Sequence, residues 1–162
     1  KDLNDKIKET YPDLNINNFN HALSNKKSLK TFYQYNISSQ SSFYKKNNLF
    51  KSLKKLNKKI KIKTIQFDDF FNKNQLVDFC KVDVQGEELN VLKGMKKNLK
   101  NKRVKLLKIE LSFIERYRNV KPNFYNIISF LNKYKYTLIS ISKIKYKGEK
   151  ILLMDAFFSI RK

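Results

Sequence analysis

The strongest constraint on the fold is a short apolar run that breaks at a glycine and resumes as an amphipathic helix. Val77 to Val84 is mostly apolar, as expected of a strand covered on both faces of a parallel sheet. Gly86 ends it. From Glu87 to Leu99, the side chains of Leu89, Leu92, Met95 and Leu99 share one helical face. Glu87 and Glu88 lie in the first turn and Lys96 and Lys97 near the last, which complements the helix dipole. A second unit follows. Val104 to Leu111 predicts a strand, and Phe124, Ile127, Ile128 and Leu131 predict a helical stripe begun by Pro122. Tyr136 to Ser142 and Ile151 to Ile160 then read as two strands joined at Lys147-Gly148-Glu149, an antiparallel hairpin. Alternating strands and helices of this kind predict an α/β layered fold with a parallel sheet, and 162 residues suit one domain with a real core.

The N-terminal half is less regular. Leu3 and Ile7 stand four apart among charged neighbours, as in the last turns of an amphipathic helix over residues 2–9, and Tyr11-Pro12-Asp13 breaks it. Ile16 to Leu23 reads as a strand, although Ile16, Phe19 and Leu23 have a spacing that suits a helix equally well. Leu29 to Tyr35 alternates Leu29, Thr31, Tyr33 and Tyr35 on one face with Lys30, Phe32 and Gln34 on the other, a strand pattern. Ser38, Ser39, Ser41 and Ser42 make a polar loop. Residues 45–59, rich in lysine and asparagine, read as a solvated surface or short irregular helix. Ile60, Ile62, Ile65 and Phe67 predict another strand, after which Asp68 and Asp69 are placed to cap a short helix at Phe70 and Phe71.

Charge and composition limit the functional classes. The formal net charge is +22, which invites a nucleic-acid or anionic-membrane reading. Arginine occurs only at Arg103, Arg116, Arg118 and Arg161, so all but four of the 36 basic residues are lysine. Arginine is the cation preferred for bidentate phosphate recognition, and it is the scarce one here. Lysine, asparagine, isoleucine, phenylalanine and tyrosine are abundant together while glycine, proline, alanine and tryptophan are depleted together, the mark of an AT-rich coding bias. The lysines are also spread along the chain, which argues against a specific nucleic-acid interface. No apolar run approaches the ~18 residues that span a bilayer. The single cysteine, Cys80, excludes an intramolecular disulfide and fits a reducing compartment. These features predict a soluble, cytoplasmic protein.

One stretch is specific. Lys81-Val82-Asp83-Val84-Gln85-Gly86-Glu87-Glu88-Leu89-Asn90-Val91-Leu92-Lys93-Gly94 follows an apolar strand and resembles the signature of the FkbM family of methyltransferases. That signature is Lys-x-Asp-x-x-Gly-x-Glu followed by Leu-x-x-Leu-x-Gly. Flanking segments match in order. Asn20-His21-Ala22-Leu23-Ser24 resembles the family's Ala-Leu-Ser strand end, and Phe32-Tyr33 with the serine cluster resembles its inserted hairpin. Thr64-Ile65-Gln66-Phe67-Asp68-Asp69-Phe70 is similar to its Thr-Leu-Asp-Asp-Phe segment, Ile109-Glu110 to its next acidic strand end, and Asp155-Ala156-Phe157-Phe158 to its closing strand.

The resemblance implies a class I, Rossmann-like methyltransferase sheet over residues 1–162, with S-adenosylmethionine as cofactor and a small-molecule or glycan hydroxyl as acceptor. It also implies a partial domain. The family's Asp-x-Gly-x-x-x-Gly cofactor loop has no counterpart, since the only glycines are Gly86, Gly94 and Gly148. The chain begins at Lys1 within a helix-like stretch, so the expectation is an N-terminally truncated domain that lacks the first strands. A non-catalytic remnant and a basic nucleic-acid-binding module are the alternative readings.

Ligands in open parallel sheets sit beyond the carboxyl ends of the strands, which puts Asp83 beside the acceptor hydroxyl. There it can orient or deprotonate the acceptor, or hold a divalent cation together with Glu110. Glu87 is placed to share that task, the alternative being a helix-dipole charge worth ~0.3–1 kcal/mol. Lys81 inside an apolar strand needs a partner such as Asp83 or Glu110, because an unpaired buried charge is costly. Asn20, His21 and Ala22 fall where related folds contact the adenine ring. Cys80 reads as a small buried hydrophobe rather than a nucleophile, because no activating histidine accompanies it.

Overall fold

The computed structural model describes residues 3–17, 19–47, 56–71 and 75–161, and places them in two sheets with short helices. Helix α1 (Leu3–Thr10) leads to β1 (Ala22–Leu23), β2 (Ser28–Tyr35), a 3-10 turn at Ser38–Gln40 and β3 (Leu56–Ile65). Then follow α2 (Phe67–Phe70), β4 (Val77–Val82), α3 (Glu88–Lys93), α4 (Lys96–Lys100), β5 (Val104–Ser112), α5 (Phe124–Asn132), β6 (Tyr136–Lys147) and β7 (Lys150–Ile160).

The first sheet has the order β1-β3-β2, with β1 parallel and β2 antiparallel to β3. The second has the order β4-β5-β7-β6. Parallel pairing is confined there to β4 with β5; β7 runs antiparallel to both β5 and β6. The expected C-terminal hairpin is present and longer than its apolar pattern, because β6 continues through Lys147. Gly148 turns it at φ +58°. The core lies beneath the second sheet, where Leu92, Met95 and Leu99 meet Leu107, Ile109, Leu111, Ile127, Leu131 and Phe158, all essentially inaccessible. Each of these branched or aromatic side chains contributes about 1.5–3 kcal/mol on burial.

Several expectations need correction. Of the strand expected over Ile16 to Leu23, residue 18 lies outside the described residues and Ile16, Asn17, Phe19, Asn20 and His21 are not in a strand; only Ala22 and Leu23 pair with β3, through Thr64 and Ile65. Of the lysine- and asparagine-rich segment 45–59, residues 48–55 lie outside the described residues, while Leu56 to Lys59 belong to β3. Lys46 is buried rather than solvated, because the rings of Tyr35 and Tyr117 close over it. The single helix expected over 87–99 is broken into α3 and α4. Gly94 sits so close to the Ser24 carbonyl that an added Cβ would lie 2.2 Å from its oxygen, and Asp68 donates its amide to the Gly94 carbonyl (2.9 Å). The Asp68 carboxylate then accepts the amides of Lys97 (2.8 Å) and Asn98 (3.1 Å). The aspartate expected to cap its own short helix thus satisfies the open amides of a different one. Finally, β4 is not covered on both faces: Phe79 and Lys81 on one face are exposed, while Cys80 and Val82 on the other are half-buried and buried, and among the described residues β5 is its one strand partner.

Candidate active site

The chain leaves β4 through a turn that needs two unusual backbone conformations. Gln85 has φ +53° and Gly86 φ +106°. The second is open to glycine alone without strain, and a Cβ there would press on the Tyr44 and Tyr117 rings at 3.2 Å. Glu88 holds the turn in place. Its carboxylate is 2% exposed and accepts the amides of Val84 (3.3 Å) and Gly86 (3.0 Å) and the Asn123 side-chain amide (3.1 Å). Burial pushes this carboxyl above its ordinary range, and the backbone amides only partly oppose that.

Asp83 emerges from this turn. It accepts the Lys81 ammonium at 3.0 Å and the Gln85 side-chain amide at 2.8 Å. Burial works to raise its carboxyl, but those two bonds and the charges of Lys81 and Arg116 outweigh it, so Asp83 sits below the ordinary carboxylate range. Lys81 is therefore partnered as expected, and on the exposed side of β4 rather than inside a covered strand. The Gln85 carbonyl oxygen of the side chain accepts from Arg116 Nη2 (3.0 Å) and the Tyr117 hydroxyl (2.8 Å), while Arg116 Nη1 pairs with Glu110. Lys81, Asp83, Gln85, Arg116 and Glu110 thus form one continuous polar string across the ends of β4 and β5.

Glu87 faces the other way. It is 1% exposed, and its carboxylate accepts from Ser24 (2.8 Å), Lys30 (2.7 Å), Asn90 (3.1 Å) and the Tyr44 hydroxyl. Burial again opposes ionisation, but these four donors hold its pKa below the usual value. Its side chain makes no capping bond to α3. In the structure Glu87 fastens β2 and the end of β1 to the α3 turn.

Two clefts flank Asp83. One, of about 480 Å³, is lined by Asn20, His21, Ala22, Phe32, Asp83 and Glu87 among others, so the residues expected at the cofactor share a cleft with Asp83 and Glu87, while Lys81 and Glu110 do not line it. His21 packs edge-on against Phe70 with ring centroids 5.3 Å apart. The second cleft, of about 360 Å³, is lined by Lys46, Asp83, Glu110, Arg116 and Lys145. Ser39, Asp83 and Gln85 border both. Within the serine-rich loop Ser42 is buried, and its hydroxyl donates to the Gln85 carbonyl at 2.6 Å.

A divalent cation does not fit. Among the described residues no group of three His, Cys, Asp or Glu side chains could hold one, and Asp83 and Glu110 are each already neutralised by a cation. Cys80 is a half-buried thiol packed against the core, and that burial pushes its pKa up to about 11, consistent with a packing role.

Glu88, Gln85 and Arg116 are the site residues missed in the sequence. Glu88 was legible, because it and not Glu87 occupies the Glu of Lys-x-Asp-x-x-Gly-x-Glu. Arg116 carried a weaker signal as one of four arginines in a chain that uses lysine almost everywhere.

No helix of the described residues is long and apolar enough to cross a membrane. Neither the curated proteins nor the solved structures contain a match. The family model for the methyltransferase FkbM domain matches residues 3–138. With most of its length matched, the signature turn included, the chain belongs to the FkbM methyltransferase family.

Proposed function

We propose that this chain carries the acceptor side of an S-adenosylmethionine-dependent O-methyltransferase whose acceptor is a hydroxyl on a sugar or natural product. The observation that carries the reading is the position of Asp83 on the wall common to two clefts. In it, the larger cleft takes the cofactor, with Asn20 and His21 at the purine edge, and the smaller takes the acceptor. The volume of the larger cleft, about 480 Å³, lies within the range usual for cofactor-sized ligands. When bound, the cofactor supplies an electrophilic methyl group on a sulfonium.

Asp83 accepts the hydrogen bond of the acceptor hydroxyl, orients its oxygen and takes its proton. Lys81 and Gln85 keep the carboxylate ionised and fixed in direction. Lys81 is a positioning residue in this scheme and Glu87 a structural anchor. Glu110 serves by holding Arg116. No step passes through a metal ion.

The cofactor loop of the family is not supplied by these residues. Gly86 shapes the β4 turn, Gly94 lies against Ser24 and Gly148 turns the hairpin, so every glycine has another task. Residues 1–162 are accordingly a partial domain in this proposal and bind the cofactor weakly alone. A reducing, cytoplasmic setting suits the lone free thiol of Cys80.

The test is calorimetric titration of S-adenosylmethionine into the chain and into a version extended by a strand and glycine loop, with labelled-methyl transfer as the second readout. Binding restored by the extension, together with an Asp83→Ala loss in turnover that exceeds its loss in binding, supports the reading. Tight binding by the short chain would overturn the account of the loop, and no binding by either would overturn the activity.

A further inference from the structure

The cleft of about 360 Å³ on the far side of Asp83 has an uneven charge distribution. Its lining holds three cations, Lys46, Arg116 and Lys145, against two carboxylates, Asp83 and Glu110. The carboxylates are already matched, Glu110 by Arg116 and Asp83 by Lys81 from beside the cleft. Lys145 is exposed on β6 and lines the cleft, where its ammonium adds positive charge.

Lys46 is built in more firmly. The residue is 6% exposed, its ammonium donates to Gln40 Oε1, and it lies 5.8 Å from the Tyr35 ring and 5.5 Å from the Tyr117 ring. Aromatic faces hold a cation in place without cancelling its charge. A partly desolvated ammonium of this kind attracts an anion more strongly than a surface lysine does, because less water screens it. A cleft meant for a neutral polyol needs none of this. We propose that the cleft binds an acceptor carrying both a hydroxyl and an anionic group, a sugar acid or sugar phosphate of monosaccharide size.

The arrangement also orients such a molecule. Attraction to the Lys46 and Lys145 ammonium groups holds the anionic group on their side of the cleft, which leaves the neutral hydroxyl edge for Asp83. The charge of the cleft would then select which hydroxyl is methylated. That last step rests on the methyltransferase reading above; the anion preference of the cleft does not.

The experiment uses the 162-residue chain without cofactor. D-glucuronate, D-glucose 6-phosphate and D-glucose are titrated at about 0.15 M salt, where surface charges are screened beyond ~8 Å, and followed by amide chemical shifts. At least one charged sugar is expected to shift Gln40, Gln85 and Leu152 and to bind about tenfold or more tighter than glucose, a difference of one charge-assisted contact. Glucuronate alone would mark a carboxylate site and glucose 6-phosphate alone a phosphate site, and either supports the proposal. Lys145→Gln, at an exposed position that does not threaten folding, is expected to weaken binding about three- to tenfold. Lys133→Gln, on the surface at the end of α5, should change it less than twofold. Equal binding of glucose, equal loss in the two lysine variants, or shifts scattered away from the cleft would overturn the proposal in favour of diffuse attraction to a highly cationic surface. Anion binding at the cleft combined with failure of methyl transfer in the extended protein would leave this site standing and remove only the reaction assigned to it.

Discussion

Replacing Glu87 by glutamine is the sharpest test of how the site is held together. The substitution keeps the shape and one acceptor oxygen but removes the charge and turns the other oxygen into a donor. Glu87 receives Ser24, Lys30, Asn90 and Tyr44, so in the variant about half of those donors face an amide hydrogen or lose their partner. Removing one member of a buried ion pair costs about 3–5 kcal/mol, but the Lys30 side chain is 24% exposed and can turn toward water. Discounting for that screening leaves about 2–4 kcal/mol, or roughly 5–15 °C in Tm for a domain of this size. The pH dependence adds a second check. The folded pKa of Glu87 lies below its unfolded value, so its contribution is complete above the ordinary carboxylate pKa of ~4.3 and is lost as pH falls through the depressed folded value. Thermal unfolding followed by circular dichroism at pH 7, and denaturant unfolding down toward pH 3, should show a gap between wild type and Glu87→Gln that closes only below that range. A gap under about 1 kcal/mol at neutral pH, or one that persists unchanged in acid, would refute a clamp built on the carboxylate.

Four further outcomes follow from the geometry. Asp83→Asn in a cofactor-competent form should lower methyl transfer about 10²–10⁴-fold while cofactor affinity changes little, measured by labelled-methyl incorporation and calorimetry. The acid limb of the wild-type rate profile should lie below the ordinary aspartate range, because the Asp83 pKa is depressed and its ionised form persists as pH falls. Adding magnesium or a chelator should leave both Tm and turnover unchanged, since Asp83 and Glu110 already have cationic partners. Gly94→Ala should lower the denaturant midpoint by the equivalent of about 1–3 kcal/mol, because the new Cβ would stand 2.2 Å from a backbone oxygen that cannot rotate away.

The strand–turn–helix at the centre of the site was legible because periodicity, the glycine break and the acidic first turn all agree at residues 77–93. So was the C-terminal hairpin, where two apolar alternations flank Gly148. What local pattern could not give was anything decided by a distant partner. The spacing of Glu87 and Glu88 puts both in one helical turn, yet one faces the β2 lysine and the other the β4 backbone. Asp68 reads as a cap for its own helix and caps one 28 residues away, because the fold brings α4 to it. Ile16 and Phe19 have the apolar character of a strand, yet pairing with β3 begins only at Ala22, which nothing in the local pattern marks. The apolar run of β4 suggested cover on both sides, although which strands or helices flank a segment is never written within it.

Two of the fastenings between the sheets converge on a single small residue. Ser24 is fully buried; its hydroxyl donates to Glu87 and its carbonyl oxygen stands where a Gly94 side chain would be. Both ties lie at the C-terminal end of β1, so this one position holds β1 to Glu87 and to the helix break at Gly94 together. A bulkier side chain at position 24 would therefore disturb two attachments at once, the hydrogen bond to Glu87 and the close approach of Gly94.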